Sequence, residues 1–454
     1  MTARDEAFYR RAVKLLSFGF FGVFGGFQAA QGLQSSLNAE LGELNLACLY
    51  GTFTILCLVV PPVLSRLERW LGGMQWLLAL CSAAYAAMAL SNAMKVPAEP
   101  SPLWAVPICF NVLVGVAAPL LWTSQNTYIS RCAFQAATLS GEAPGMVTTR
   151  YNSLFFSIYQ FAGMFGNILA SLILMALGTI NWAKDILFLA LALCCVMGAS
   201  VFLTMPTVSH DEENIGDEEK LPRIADTSRL AFTDAKVGLM IPFMMTNGMS
   251  LAFFLGDFQT DVTCPVAGPA YTGFVIAVFF GVNALSSAFW GFVVTSKWLS
   301  RRTVYIAATL FVASFLLMKQ LWTVPQNFHL HAGSTTWQAD ATPDWKAVLM
   351  VFAMAGVFAC GDSFCEAGPA MTLQTYYVSS DKVVAAMANY KLWQSLGFAT
   401  QFFIAMPLKS YPAVRGAILL SLSVLSLACI LLLDRFIAPV DGLDDCERRA
   451  LSAG

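Results

Sequence analysis

Two carboxylates and one ammonium sit where a bilayer should allow none. Asp362 and Glu366 are four residues apart in one apolar stretch and so share a helix face. Lys391 lies in the next apolar stretch, inside Asn389-Tyr-Lys-Leu-Trp-Gln394. A charge in mid-membrane costs at least about 2.5–3.5 kcal/mol on insertion scales. Lys391 is therefore expected within ion-pair or water-bridged reach of Asp362 or Glu366. Such a group could bind a proton or cation in competition with the lysine. It could equally be a static pair that fixes the packing of the last helices. Asp257 and Asp261, at the end of an earlier stretch, are expected only at the membrane interface.

Amides form a second set. Gln28, Gln31, Gln34 and Asn38 recur every three or four residues of the first stretch, on one helix face. That face must turn away from lipid, because unpaired polar groups are costly there. It is expected to look across a central cavity toward the other half of the protein. Hydrogen bonding between helices, worth about 0.6–2 kcal/mol per contact, is the alternative use. Gln125, Gln160, Asn167 and Gln394 are candidates of the same kind. Trp122 and Trp393 stand near them, as ligand-stacking rings or as anchors at the membrane face.

Catalytic chemistry is not supported. No nucleophile–base pair, metal cluster or phosphate loop stands out. The three histidines lie in expected loops, and His329 with His331 does not complete a zinc site. Gly19, Gly22, Gly25 and Gly26 have no preceding strand, so they read as close helix packing rather than a nucleotide loop. No cofactor and no nucleic acid is implied.

The elements that must hold these residues are helices. The 454 residues are 57% hydrophobic and 12% charged, where a soluble domain carries about a quarter charged. Twelve apolar stretches are long enough to span a bilayer core of about 30 Å. They lie at 13–34, 45–64, 74–93, 103–128, 152–176, 184–205, 237–258, 270–295, 303–322, 346–373, 383–406 and 413–434. The first reads as an uncleaved helix rather than a signal peptide. Most of the 12 cysteines fall inside spans, which argues against a disulfide framework. Only Cys264 is expected in an outside loop.

The chain also repeats itself. Thr123-Ser-Gln-Asn-Thr-Tyr-Ile-Ser130 returns as Thr372-Leu-Gln-Thr-Tyr-Tyr-Val-Ser379. Gln160 with Gly163 returns as Gln394 with Gly397. Repetition of whole hydrophobic bundles is a mark of transporter architecture. The expected fold is all-α, with two pseudo-symmetric six-helix bundles of major-facilitator type. The expected divisions are a first bundle at 1–205, an acidic, mobile cytosolic linker at 206–236, a second bundle at 237–436 and a cytosolic tail at 437–454. Of the 26 Lys and Arg, nineteen fall on the side of the termini and six on the other, with Lys391 inside a span. That bias puts both termini in the cytosol. The short basic loop expected after the second span of each half is degraded to Ser65-Arg-Leu-Glu-Arg69 and Ser296-Lys-Trp-Leu-Ser-Arg-Arg302.

Several strings together resemble one family. Ala118-Pro-Leu-Leu-Trp-Thr-Ser-Gln-Asn-Thr-Tyr-Ile-Ser130 looks like a signature of the uncoordinated-93 family of major-facilitator-like proteins. So do Gln28-Ala-Ala-Gln-Gly-Leu-Gln-Ser-Ser-Leu-Asn38 and Phe155-Phe through Gly166-Asn167. In the second half Asp257-Phe with Pro265 and Gly268, Gly361-Asp362, and Lys391-Leu-Trp-Gln-Ser395 match as well. The resemblance covers nearly all of residues 13–434. Glu366 departs from it, standing where the family more often has an amide, and the stretch around Thr263-Cys264 is less typical.

The resemblance implies regulation more than transport. Family members are linked to potassium-channel regulation and potassium balance, and one vertebrate branch escorts nucleic-acid-sensing receptors between membranes. The expected partners are thus the lipid bilayer and an ion channel or other membrane protein. The alternative is a secondary carrier of a small solute or cation, driven by a proton or sodium gradient. The membrane would be the plasma membrane or an endomembrane.

Overall fold

The structure is a computed structural model. It describes residues 5–37, 39–97, 99–142, 144–177, 182–208, 224–295, 298–330, 337–377 and 383–436. Twelve long helices are formed among them. The first six are α1 (Glu6–Leu37), α2 (Ala39–Cys57), α3 (Met74–Ser91), α4 (Ala105–Ser140), α5 (Pro144–Leu177) and α6 (Ala183–Leu203). The last six are α7 (Ala235–Phe253), α8 (Pro269–Thr295), α9 (Arg301–Leu321), α10 (Trp345–Tyr377), α11 (Val383–Ala405) and α12 (Pro412–Phe436). Each overlaps one predicted span. Ten are long and apolar enough to cross a membrane by composition alone. The two that are not, α2 and α11, pack against each other between the halves, where a polar side chain has partners other than lipid.

Both halves use one pairing plan. In the first, α1 packs on α5 and α6, α2 on α4, and α3 on α4 and α6. In the second, α7 packs on α11 and α12, α8 on α10, and α9 on α10 and α12. The halves meet where α2 lies on α11 and α5 on α8, two seams exchanged by the repeat. Glycines let the backbones approach. A Cβ on Gly166 would strike the Gly25 backbone, which joins α5 to α1, and one on Gly397 would strike Met245, which joins α11 to α7. Gly22 and Gly198 do the same for α1 and α6. The small-residue reading of the first span therefore holds.

One helix runs further than hydropathy suggests. α7 continues into a π-helical stretch, Phe254–Thr263, then a last turn, Cys264–Ala267. The Cys264 amide reaches back to the Gln259 carbonyl, an i→i−5 bond typical of such widened turns. Gly268, at φ 83°, closes the turn before α8. Cys264 is consequently buried rather than in an outside loop.

The connections also carry structure. Residues 209–223 of the expected linker lie outside the described residues. Its last part is not a mobile tether but a helix, Ile224–Thr233, set against α7 and α11. Asp234 then caps α7 by accepting from the Lys236 amide at 3.0 Å. Between α9 and α10, Phe328–Leu330 pairs antiparallel with Trp337–Ala339. His329 sits 3.0 Å from Asp340 there, and His331 lies outside the described residues. The start of α1 and the end of α12 share one end of the bundle, here the near end. The hairpin marks the far end.

Candidate functional site

A polar layer crosses the seam between the halves. On α5, Gln160 donates from Nε2 to Glu366 Oε2 of α10 at 2.9 Å. On α11, Lys391 Nζ lies 4.9 Å from the ring centre of Trp122, which belongs to α4. Each contact joins one half to the other. Lys391 also stands 4.6 Å from the Tyr390 ring and donates to Gln394 Oε1 at 2.8 Å. Gln394 passes the chain on by donating to Asn247 of α7. Tyr390 donates from its hydroxyl to the Glu366 carbonyl at 2.8 Å.

The direct form of the expected lysine–carboxylate pair is not formed. Among the described residues no direct ion pair joins Lys391 to Asp362 or Glu366. Glu366 lies within electrostatic range of Lys391 but spends its hydrogen bond on Gln160. Asp362 is fully buried and turned toward α8, where Asn283 donates to it at 3.0 Å. The ammonium is held instead by two aromatic faces and one amide. Cation–π contacts of this kind are worth up to about 2 kcal/mol when desolvated.

The glutamine stripe is bonded within its own half. Gln28 donates to the Tyr159 hydroxyl at 3.1 Å. Gln31 donates to the Tyr50 hydroxyl at 2.9 Å. Gln34 donates to Met88 Sδ at 3.2 Å, with Asn111 Oδ1 at 3.5 Å. All three are buried as expected, yet their partners sit on α5, α2, α3 and α4 rather than across the cavity. Contact with the second half is indirect: the Tyr50 ring stacks on Phe398 of α11 at 4.1 Å. Asn38 lies outside the described residues.

The other candidates separate. Trp122 is packed among Phe20, Phe24 and Tyr159 at 5.2–5.4 Å between ring centres. It is an interior ring, not an anchor at a membrane face. Trp393 is half-buried, and its indole N–H has no acceptor among the described residues. Gln125 is buried with neither amide atom bonded among those residues. Asn167 donates to the Gly163 carbonyl at 2.8 Å where α5 meets α8. Chemically the layer offers a boxed cation, a partly exposed carboxylate and several spare amide groups. That set suits a polar or charged ligand. Among the described residues no cluster of three or more His, Cys, Asp or Glu is placed to hold a metal ion.

A second charged cluster escaped sequence reasoning. At the far end Arg415 of α12 pairs with Asp257, and its Nη2 lies 2.9 Å from Asp261 Oδ2. Lys319 of α9 reaches the same Asp261 oxygen at 3.1 Å. Gln401 of α11 donates to Asp257 at 2.7 Å. Arg415 and Asp257 are each 1% exposed, so Asp257 is no interface residue. The available signal was the four-residue spacing of the two aspartates, which sets both toward one face.

Comparison with known proteins bears on this architecture. The sequence pattern described as "Ion channel regulatory protein UNC-93" matches residues 34–431. The chain belongs to the UNC-93 family. It is thus an integral, multi-pass, non-enzymatic membrane protein. A relative in Homo sapiens, "Protein unc-93 homolog A", is 26% identical over 92% of each chain. The Caenorhabditis elegans "Putative potassium channel regulatory protein unc-93" is 23% identical over 86% of this chain and 56% of that one. Among solved structures, the nucleoside transporter NupG superposes with a TM-score of 0.61 at 12% identity, over 93% of this chain and 98% of the other. A D-xylose-proton symporter gives 0.62 at 13% identity, over 96% and 99%. At such identity these likenesses show the fold, and the UNC-93 chain has the major-facilitator transporter fold.

Proposed function

We propose that this chain is a regulatory subunit or escort of an ion channel or another membrane protein, with potassium channels as the first candidates. The family match across residues 34–431 carries this reading, and the name of the worm relative narrows it. The fold supplies what a regulator of this build requires. The two halves meet at amide, aromatic and single-carboxylate contacts and one exposed ion pair, Lys409–Glu40, which can be exchanged at little energetic cost. A partner that grips both halves could therefore sense or set their relation. Co-expression with a panel of potassium channels tests it. Altered current or surface density for at least one channel, lost on Gln160→Leu, is the expected result. Unchanged currents and unchanged trafficking across the panel would overturn it.

A secondary carrier of a small solute or cation is the alternative. The polar layer supports it, since Gln160 with Glu366 and Trp122 with Lys391 join the two halves of a carrier fold. Solute flux into proteoliposomes of the purified chain, abolished by Glu366→Gln, would favour the carrier.

The basic bias supports cytosolic termini, with the bundles at 1–205 and 237–436 divided by a cytosolic segment at 206–236. Protease protection of tags in that segment and in the far-end hairpin tests the orientation. An externally cleaved tag at 209–223 would reverse it.

A further inference from the structure

At the far end the two halves are shut against each other. α1 lies on the π stretch of α7 and on α8, and the Ser171 hydroxyl of α5 donates to the Ala270 carbonyl at 2.8 Å. Into this closure the first half sends one acid, Glu43 of α2. It is 5% exposed. Among the described residues it forms no hydrogen bond and no ion pair. The charged groups that face it are Arg415 and Lys409 on one side of the balance and Asp261 and Glu40 on the other. No titratable group of α1 or α4 is among them.

The cations are already engaged. Arg415 is held by Asp257 and Asp261, and Lys319 by Asp261. Lys409 reaches Glu40 at 3.5 Å in an exposed pair. Among the described residues, Asp257, Asp261, Glu40 and Glu43 therefore face only Arg415, Lys319 and Lys409. One negative charge is left over, and Glu43 is the acid with no partner of its own. Burying an uncompensated carboxylate costs several kcal/mol. A protein relieves such a cost by neutralising the group. The halves also differ in what they contribute: the buried Arg415 network belongs to the second half, and the surplus acid to the first. Separating the halves at this end would return Glu43 to water without disturbing the Arg415 network, and would part only the exposed Lys409–Glu40 pair.

We propose that Glu43 is a proton-binding residue that couples closure of the far end to uptake of one proton. The closed arrangement holds Glu43 as the neutral acid, and opening releases the proton to solvent. Closure then gains as pH falls and weakens as pH rises, by at most tenfold per pH unit for a single proton.

The test uses the full chain in proteoliposomes. Ser171→Cys places a thiol inside the far-end seam, and its labelling by a water-soluble maleimide is read by mass spectrometry of that peptide. Because the thiolate is the species that reacts, each rate is divided by that of the same peptide in the denatured chain at the same pH, which leaves the accessibility of the seam. In the Ser171→Cys chain this ratio should rise with pH, approaching tenfold per unit. Adding Glu43→Gln, which mimics the neutral acid in shape, should leave the ratio low and independent of pH. A double variant whose ratio keeps the pH dependence of the single one overturns the proposal, as does a single variant whose ratio has no pH dependence. Infrared difference spectra of the unlabelled wild-type chain give a second readout. The carbonyl stretch of a protonated carboxylic acid should be present at neutral pH and lose one component in Glu43→Gln. An unchanged band would also overturn the assignment.

Discussion

The polar layer and the far-end cluster solve the same problem in opposite ways. Both bury charge inside an apolar bundle. At the far end each cation of the Arg415 cluster meets a carboxylate, and these pairs tie together three helices of one half, α7 with its π-helical extension, α9 and α12. In the layer the single cation meets rings and an amide, and two of the contacts, Lys391 on Trp122 and Gln160 to Glu366, run between halves. Strong pairs thus hold a half rigid, while weaker and more exchangeable contacts hold the halves to each other. A molecule that must shift at one surface and stay intact elsewhere needs this distribution.

The largest expected effect tests the rigid side. Arg415→Met leaves Asp257 without its cation and Asp261 with Lys319 alone, and should destabilise the protein by about 3–5 kcal/mol, read as a large drop in the detergent-solubilised melting temperature. Adding Asp257→Asn, which leaves the Lys319–Asp261 pair in place, should recover much of the loss. Next comes packing. Gly166→Val drives a side chain into the Gly25 backbone and should cost about 1–3 kcal/mol, measured the same way. Gln160→Leu removes one inter-half hydrogen bond, worth about 0.6–2 kcal/mol, and should loosen the seam, as seen by faster hydrogen exchange in α5 and α10.

Lys391→Met sharpens the contrast most. With no ion pair to break, it should cost no more than about 2 kcal/mol, the upper range of a desolvated cation–π contact. A loss as large as that of Arg415→Met would erase the distinction drawn here. The smallest effect belongs to the exposed Lys409–Glu40 pair. A double-mutant cycle there should give below about 0.5 kcal/mol, vanishing in salt of about 1 M.

Much of this molecule could be read from its residues. Span positions, the repeat, the glycine crossings and the family followed from hydropathy and short strings. The burial of Gln28, Gln31 and Gln34 followed from their spacing. Their partners did not, because one inward face can meet either its own half or the other, and periodicity does not distinguish them. Lys391 was assigned a carboxylate because charge cost was weighed without the aromatic alternative offered by Trp122 and Tyr390. Asp257, Lys319 and Arg415 were missed because charges near span ends look like interface residues. What buries them is the extension of α7 past residue 258, and a helix continuing through Gln259-Thr-Asp-Val-Thr263 has no hydropathic signature. The helix at Ile224–Thr233 escaped for a related reason: it follows an acidic run that dominates the composition.

The π-helical stretch at Phe254–Thr263 has a consequence for how the sequence can change. A backbone wound wider than the α-helix holds surplus chain for the length it covers. Losing one residue from an ordinary stretch of α7 would rotate everything beyond it by about 100°, misaligning Gly268 and the start of α8. Losing one from the stretch could be absorbed by tightening to α-helical turns, with the hydrogen-bond ladder intact and the ends less displaced. What could not be absorbed is the facing of Asp257 and Asp261 toward Arg415. This segment is therefore tolerant in length but exacting in phase. Among related chains, insertions and deletions there should be accompanied by changes at position 319 or 415.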